Sequence, residues 1–544
     1  MPSRISRCVS VGLAGLLSCT GLTAIAAADS GSGNSVHVIR PTHPHRPDDS
    51  FTRMFPKLPP FSSQTDEARE QARQLGVKGG PTDALDILTD PVQSILNPAA
   101  FSPHNPDNPA MTAGMTFIGQ FLDHDITLDL KSPLSENSIP RRTTNFRTAA
   151  FDLDSLYGDG PQGSPELYDS GSADIKFRVE PIPGSDTVSR KGALRYDVPR
   201  DANKNAIIGD SRNDENVIIS QLHLAMLRFH NAVIDHLRAD PASAHLSPQR
   251  LFRQAQRMVR WHYQWIIVNE FLPQTIGQER VNDIFRHGLR FYRVDDRHAD
   301  QHYRNSAKDA LIPIEFSVAA YRFGHSQVRP SYRLNFGPGD GAPFFAFVFD
   351  DSINPADPNP NDLRGGKRAS RRFVDWQTFF DFGDGNVRFN KRIDSKLSTV
   401  LMHLPGSRGP APGLPSDGVQ SLASRNLMRH VNFGIPSGQA IARAMGVPAL
   451  TPRQLSELVP YRMERSTPLW YYILKEAEVM EGGLRLGPVG GGIVGEVFIG
   501  LLQADTDSYL SVDRDWTPTL PSAQPGRFRV TDLLTFAGVV HPLN

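Results

Sequence analysis

The stretch ENVIISQLHLAMLRFHNAVIDHLRAD, Glu215 to Asp240, sets Ile218, Leu222, Ala225, Met226, Phe229 and Val233 at steps of three and four residues. That is the period of one helix face. A helix this long and apolar has to be deeply packed, so the fold must supply other helices to cover it. The next segment, SPQRLFRQAQRMVRWHYQWIIVNEFL, follows Asp240-Pro241 and Ser247-Pro248; Ser247 reads as a cap, Pro248 as the first turn and Leu272-Pro273 as a stop. The short polar link predicts an antiparallel pair. Strand signals are few and short, YRLNF and FFAFVF, while DPNPNDLRGGK and LPGSRGPAPGLPSDG read as surface excursions between helices. No internal repeat is present. The expectation is a mainly α fold with few short strands and long loops, in a chain of 544 residues that allows one large domain or two to three ordinary ones.

The N-terminus differs in kind. Arg4 and Arg7 precede an apolar run from Val9 to Ile25, and Ala26, Ala27 and Ala28 follow, the layout of a secretory signal with cleavage expected near Ala28. Secretion or a periplasmic location follows from it. Ser10, Ser18, Thr20 and Thr23 break the run, which argues against a membrane anchor. Leu16-Leu17-Ser18-Cys19 resembles a lipoprotein box, a minor alternative because apolar sequence continues past Cys19. The only cysteines, Cys8 and Cys19, fall inside the signal, so the mature chain has no thiolate for disulfides, catalysis, zinc or haem ligation. Residues 29 to about 75, with GSGNS and RPTHPHRPDDS, read as an extended arm, and His37, His43 and His45 in it as solvated rather than metal-binding. Beyond the signal, no run of about 18 apolar residues is uninterrupted; Val489 to Leu502 contains Glu496 and several glycines and reads as packed core. With 58 basic and 58 acidic residues, charge gives no argument for nucleic acid or an anionic membrane.

FIGQFLDHDITLD, Phe117 to Asp129, crowds Gln120, Asp123, His124 and Asp125 into an apolar segment. In a helix Gln120 and His124 share a face, Asp123 lies beside it and Asp125 points elsewhere. Alone, this reads as a satisfied histidine and a surface acid pair; a functional reading needs partners. RTAAFDLDSLYGDG offers Thr148, Asp152 and Asp154 at even spacing with the Ala150 carbonyl between them, suited with Asp125 to a hard cation such as calcium, or else an ordinary polar turn. GDSRNDEN puts Arg212 and Glu215 at the entrance of the long helix, with Asp210 or Ser211 as the expected cap. AAYRFGHSQVRP has His325 after Gly324, which admits a flat ligand closely, and LASRNLMRHVNFGIPSG sets Asn426 and Arg429 three apart.

Together these motifs, in this order and from about residue 80 to the C-terminus, resemble the animal-type haem peroxidases in a secreted bacterial form. With the signal over 1–28 and the arm over 29–75, the resemblance implies a single helical haem peroxidase domain over 76–544. It makes His124 the distal base, with Gln120 beside it and Arg212 as its partner, and His325 the ligand to haem iron. Asn426 is then expected to accept a hydrogen bond from the other ring nitrogen of His325, and Arg429 to pair with a haem propionate. Ester links to haem are implied for Asp123 and Glu215; where some members add a sulfonium link from methionine, this chain has Asn216. Calcium carries over to Asp125, Thr148, the Ala150 carbonyl, Asp152 and Asp154. The implied substrates are hydrogen peroxide and a small reductant: halide, thiocyanate or phenol.

The fatty acid dioxygenases and cyclooxygenases of the same superfamily need a tyrosine three residues before the proximal histidine; Arg322 stands there, and Tyr321 is one place off. A haem-free adhesive protein on the same fold is a second alternative. Metal-dependent hydrolysis lacks a spaced second histidine ligand.

Overall fold

The computed structural model describes residues 50–294, 310–339, 341–405 and 418–543. Its principal helices are α1 (Asp66–Leu75), α2 (Ala113–Ile126), α3 (Val217–Ala239), α4 (Pro248–Ile266), α5 (Leu422–Asn432), α6 (Leu469–Glu481), α7 (Pro488–Ala504) and α8 (Val530–Phe536). The strands β1 (Asp107–Thr112), β2 (Glu180–Pro181), β3 (Tyr196–Asp197), β4 (Ser331–Asn335), β5 (Phe344–Phe347) and β6 (Phe389–Lys391) pair antiparallel as β1 with β6, β2 with β3 and β4 with β5. The expected mainly α architecture with short strands is therefore what the chain adopts.

α3 is the central helix, and its periodic face, Ile218, Leu222, Ala225, Phe229 and Val233, is fully buried. Each large apolar side chain there contributes roughly 1.5–3 kcal/mol of burial. α2, α4 and α8 pack on α3, α1 packs on α5, and α6 packs on α7. α3 is long and apolar enough to cross a membrane, but most of it lies inside the protein. The segment 489–502 forms most of α7, with Val489, Ile493, Val497, Phe498 and Leu501 buried as expected of core.

Four expectations are corrected. Pro273 does not stop its helix: the chain widens into a π-turn over Ile267–Phe271 and continues as Leu272–Ile276 before Gly277, at φ 86°. Proline has no N–H to lose, and the wider turn shifts the carbonyl that its ring would meet. The cap of α3 is Asn216, whose side chain accepts from Ile218 N and Ile219 N at 3.1 and 3.0 Å; Asp210 caps the preceding 3₁₀ turn, Ser211–Asp214, instead. Residues 50–75, expected to belong to an extended arm, are docked instead. Phe51, Met54, Phe55 and Phe61 are buried, the Glu315 carboxylate accepts from Met54 N at 2.9 Å and Phe55 N at 3.1 Å, and residues 66–75 form α1. Apolar anchors among the prolines dock this segment; His37, His43 and His45 lie outside the described residues. Finally, DPNPNDLRGGK is no pure excursion, because Leu363 N donates to Phe347 O and Leu363 O accepts from Val217 N, at 3.0 and 2.9 Å. Most of LPGSRGPAPGLPSDG falls outside the described residues.

Candidate active site and cation site

α2 carries the crowded acids and histidine. Its apolar side buries Phe117, Phe121 and Leu122, which fixes the helix's rotation and turns Gln120, Asp123 and His124 toward one cavity of 330 Å³. Arg212 and Glu215 reach the same cavity from the entrance of α3, His325 from the turn after Phe323, and Asn426 and Arg429 from α5. All eight of these sequence-predicted residues are brought together. Asp125 lies on the opposite side, fully buried, as the helical spacing requires.

His124 is 5 % exposed, and its Nδ1 lies 2.8 Å from Asn213 Oδ1. Burial first, and the Arg212 charge second, push its pKa down to about 4, so the ring is neutral at pH 7. His325 is likewise pushed down, to about 3, by burial and by Arg322. Its Nδ1 lies 2.9 Å from Asn426 Nδ2. The pairing is the expected one with opposite polarity: here the amide donates, whereas a ring that gives Nε2 to a metal must donate from Nδ1, which requires the amide to turn over. A Cβ built on Gly324 meets nothing within 4 Å, so open space lies beside the histidine. A cavity with neutral His325, an amide on its other nitrogen and open space at Gly324 fits a flat, histidine-ligated haem.

Arg212 is more heavily engaged than a free distal cation. Its Nε and Nη2 hold Asp210 at 3.0 and 2.7 Å, and Nη2 also donates to Thr127 O and His124 O at 2.7 and 3.2 Å. Nη1 has no protein acceptor among the described residues. Asp210 also binds Arg147, and despite burial the two arginines hold its carboxyl far below the ordinary range.

The two acids expected to esterify haem are electrostatically unlike. Asp123 accepts from Arg322 Nη1 at 3.1 Å and Thr127 Oγ1 at 2.9 Å; burial pushes its pKa up, but Arg322 and Arg212 outweigh this and hold it below the usual value. Glu215 accepts from Gln120 Nε2, and burial raises its carboxyl to about 7. Glu215 is fixed from behind: its carbonyl accepts from Gly365 N at 2.8 Å, and a Cβ on Gly365 would lie 1.6 Å from Asp214 O. Only glycine permits that approach. Arg429 lines the cavity while ion-paired with Asp129 at 3.3 Å.

The cation loop is assembled too. Asp125, Asp152 and Asp154 bring carboxylate oxygens within 4.8 Å of one another. Leu153, between the last two, sits in the left-handed region at φ 60°, a strained geometry that accompanies this sharp turn. Burial raises all three carboxyls, Asp152 to about 7; neighbouring carboxylates of the cluster add to this at Asp125 and Asp152, while Arg147 opposes it at Asp154. Thr148 donates to Asp154 Oδ2 from N at 3.1 Å and from Oγ1 at 3.2 Å, leaving lone pairs on its hydroxyl oxygen. Ala150 is buried in the same loop. Two buried acids and a half-buried one are stable as a charged set only with a cation among them, and hard oxygen ligands suit calcium.

Sequence reasoning missed Arg147, Asp210 as a double acceptor, Asn213, His223 and the Arg322–Asp123 pair. Tyr321 was weighed as a near miss; its hydroxyl donates to Gly119 O at 3.0 Å, and its ring stacks on Phe316 at 4.9 Å.

The chain is similar to known proteins over part of its length. The family described as animal haem peroxidase matches residues 131–341. Chorion peroxidase of Aedes aegypti is 25% identical over 340 residues, covering 61% of this chain and 38% of that protein. The chain thus spans less than half the length of this relative. Peroxinectin A of Dictyostelium discoideum is 24% identical over 424 residues, covering 75% of this chain and 69% of that protein. Among solved structures, peroxidase A from Dictyostelium discoideum superposes with a TM-score of 0.52 at 18% identity over 88% of this chain and 95% of that one. The fatty acid alpha-dioxygenase of Oryza sativa gives 0.51 at 14% identity over 78% and 73%. At these identities the structural likenesses speak to fold alone.

Proposed function

We propose that the chain, which matches the animal haem peroxidase family over residues 131–341 and is similar to peroxidases elsewhere, is a haem peroxidase that reduces hydrogen peroxide at the expense of a small donor such as a halide, thiocyanate or phenol. The observation that carries this reading is the joint presence, in one cavity, of neutral His124, Gln120 and Arg212 with His325 and its amide partner Asn426. Haem held through His325, with Arg429 near a propionate, would supply the two-electron redox chemistry. The chain's own residues handle the protons and charge. His124 takes a proton from hydrogen peroxide and returns it to the departing oxygen, which leaves as water. The Arg212 guanidinium offsets the negative charge that develops as the O–O bond breaks. Gln120 shares the helix face with His124 and orients Glu215.

Ester attachment through Asp123 and Glu215, without a sulfonium link at Asn216, belongs to this proposal, as does calcium at Asp125, Thr148, Ala150, Asp152 and Asp154. So does export, secreted or periplasmic, after cleavage near Ala28. Fatty acid oxygenation is the second reading, opposed by Arg322, which is bound to Asp123 where a radical tyrosine would be needed. Purified protein should show a Soret band and oxidise bromide, iodide, thiocyanate or a phenol with peroxide. His124→Ala should lose rapid peroxide cleavage, by on the order of 10²-fold or more, with haem retained. No haem after expression with ample supply, or turnover of fatty acid in place of all four donors, overturns the reading.

A further inference from the structure

Two buried polar groups beside the cavity have no part in the chemistry just described. Asn213 lies in the 3₁₀ turn Ser211–Asp214 and is fully buried; His223, on α3, is 1 % exposed. The Asn213 amide bridges two imidazoles: Oδ1 lies 2.8 Å from His124 Nδ1, and Nδ2 lies 3.1 Å from His223 Nδ1. His223 Nε2 is buried without a hydrogen-bond partner, and the Phe121 ring stands 6.1 Å from the imidazole.

An amide is directional, since its oxygen only accepts and its nitrogen only donates. With Oδ1 toward His124, the His124 proton must sit on Nδ1, and the Nε2 lone pair is free for the cavity. The same amide then gives an N–H to His223 Nδ1, so the His223 proton sits on Nε2. Turning the amide over reverses both rings together: His124 would present an N–H to the cavity and could take no proton. The two tautomers are thereby locked to each other through one side chain. Arg212, the charged neighbour, offers no acceptor that could impose the choice on His124.

We propose that Asn213 and His223 are positioning residues that hold His124 in the tautomer with a bare Nε2. This rests on the reading of His124 as the proton acceptor and deepens it: neither residue touches substrate, and both act through the orientation of one imidazole. His223 is the far end of the bridge: its Nδ1, 3.1 Å from Asn213 Nδ2, gives the amide nitrogen a partner on the side away from His124.

The direct test is neutron diffraction from the full-length, haem-loaded protein after deuterium exchange. Deuterium is expected on His124 Nδ1 and His223 Nε2, with Asn213 Oδ1 toward His124; deuterium on His124 Nε2 overturns the proposal with no variant needed. The kinetic readout is cyanide association with the ferric protein, because hydrogen cyanide must give up its proton to a base in order to bind as the anion. N213L is expected to slow association on the order of 10²-fold, H223F to slow it less, and N213D, which keeps an acceptor for His124 Nδ1, to restore most of the rate. Haem content and melting temperature identify variants that fail to fold, and the diffraction result stands without them. A folded N213L with the wild-type rate overturns the positioning role. A wild-type rate in H124Q overturns instead the reading of His124 as base on which the role rests.

Discussion

The Arg147 side chain is fully buried, yet it ties the cation loop to the cavity. It lies 3.5 Å from Asp154 and 2.9 Å from Asp210, and Asp210 holds Arg212 at 2.7 Å. Asp154 Oδ1 and Arg147 Nη1 have no hydrogen-bond partner, so their attraction acts across a gap at the edge of the carboxylate cluster. R147M removes one member of a buried ion set and strands Asp210 with a single arginine. Breaking such a set typically costs about 3–5 kcal/mol. The same change removes a positive charge from beside Asp154. Stability of the metal-free protein should therefore fall while calcium affinity rises; a thermal melt and a calcium titration on the same sample read the two directions, and a parallel fall in both would refute this role. Asp123 and Glu215 differ as sharply at this scale, one held ionised by Arg322 and the other raised to about 7. D123A combined with E215A should leave haem extractable by acid solvent, and covalent haem retained in the double variant would show that the esters lie elsewhere.

At the scale of elements, the site depends on a segment that composition alone marks as loop. Residues 363–365 run beside the entrance of α3, bonding Val217 and Glu215 through the backbone. G365A places a methyl 1.6 Å from Asp214 O, a contact that only backbone displacement relieves, so Glu215 should shift away from Gln120. Haem attachment through Glu215 should fall severalfold while α3 stays folded, checked by mass spectrometry of the haem-bearing peptide and by circular dichroism. Periodicity made α2 and α3 legible, because apolar spacing alone decides which face is buried, and from that the division between Gln120 with His124 and Asp125 followed. Local motifs likewise carried the cation loop. What sequence could not carry were pairings set by tertiary distance: Arg147 with Asp210 spans 63 residues, and Arg322 with Asp123 spans 199. The passage of the helix through Pro273 was equally hidden, since a π-turn is stabilised by packing rather than by its own composition. The docking of residues 50–65 escaped for the opposite reason: single apolar anchors spaced among prolines show no period.

For the whole molecule, the carboxylate cluster makes stability a function of both pH and metal. Without a cation, burial raises Asp125, Asp152 and Asp154 above their ordinary value of 3.8, Asp152 to about 7, and repulsion within the cluster adds to this at Asp125 and Asp152. A folded state with raised carboxyl pKa values binds more protons than the unfolded chain between those limits. Stability is then greatest at the acid end of that window and falls as pH rises toward about 7. A bound cation reverses the sign. It favours the ionised carboxylates, depresses their pKa values below the unfolded ones, and makes stability decline as pH falls through the depressed values. Asp125 is adjacent to His124 on α2, and Tyr263 of α4 donates to it at 3.2 Å, so the cluster fastens α2 to the helical core rather than to a surface loop. The chelated protein should accordingly melt at a higher temperature at pH 5.5 than at pH 7.5, both values lying roughly within the titrating window, and the calcium-loaded protein should show no such gain on acidification. D152N should flatten the slope of the chelated form and weaken calcium retention together. Melting curves at the two pH values, with and without chelator, measure this, and identical slopes in the two metal states would remove the cluster as the source of the coupling.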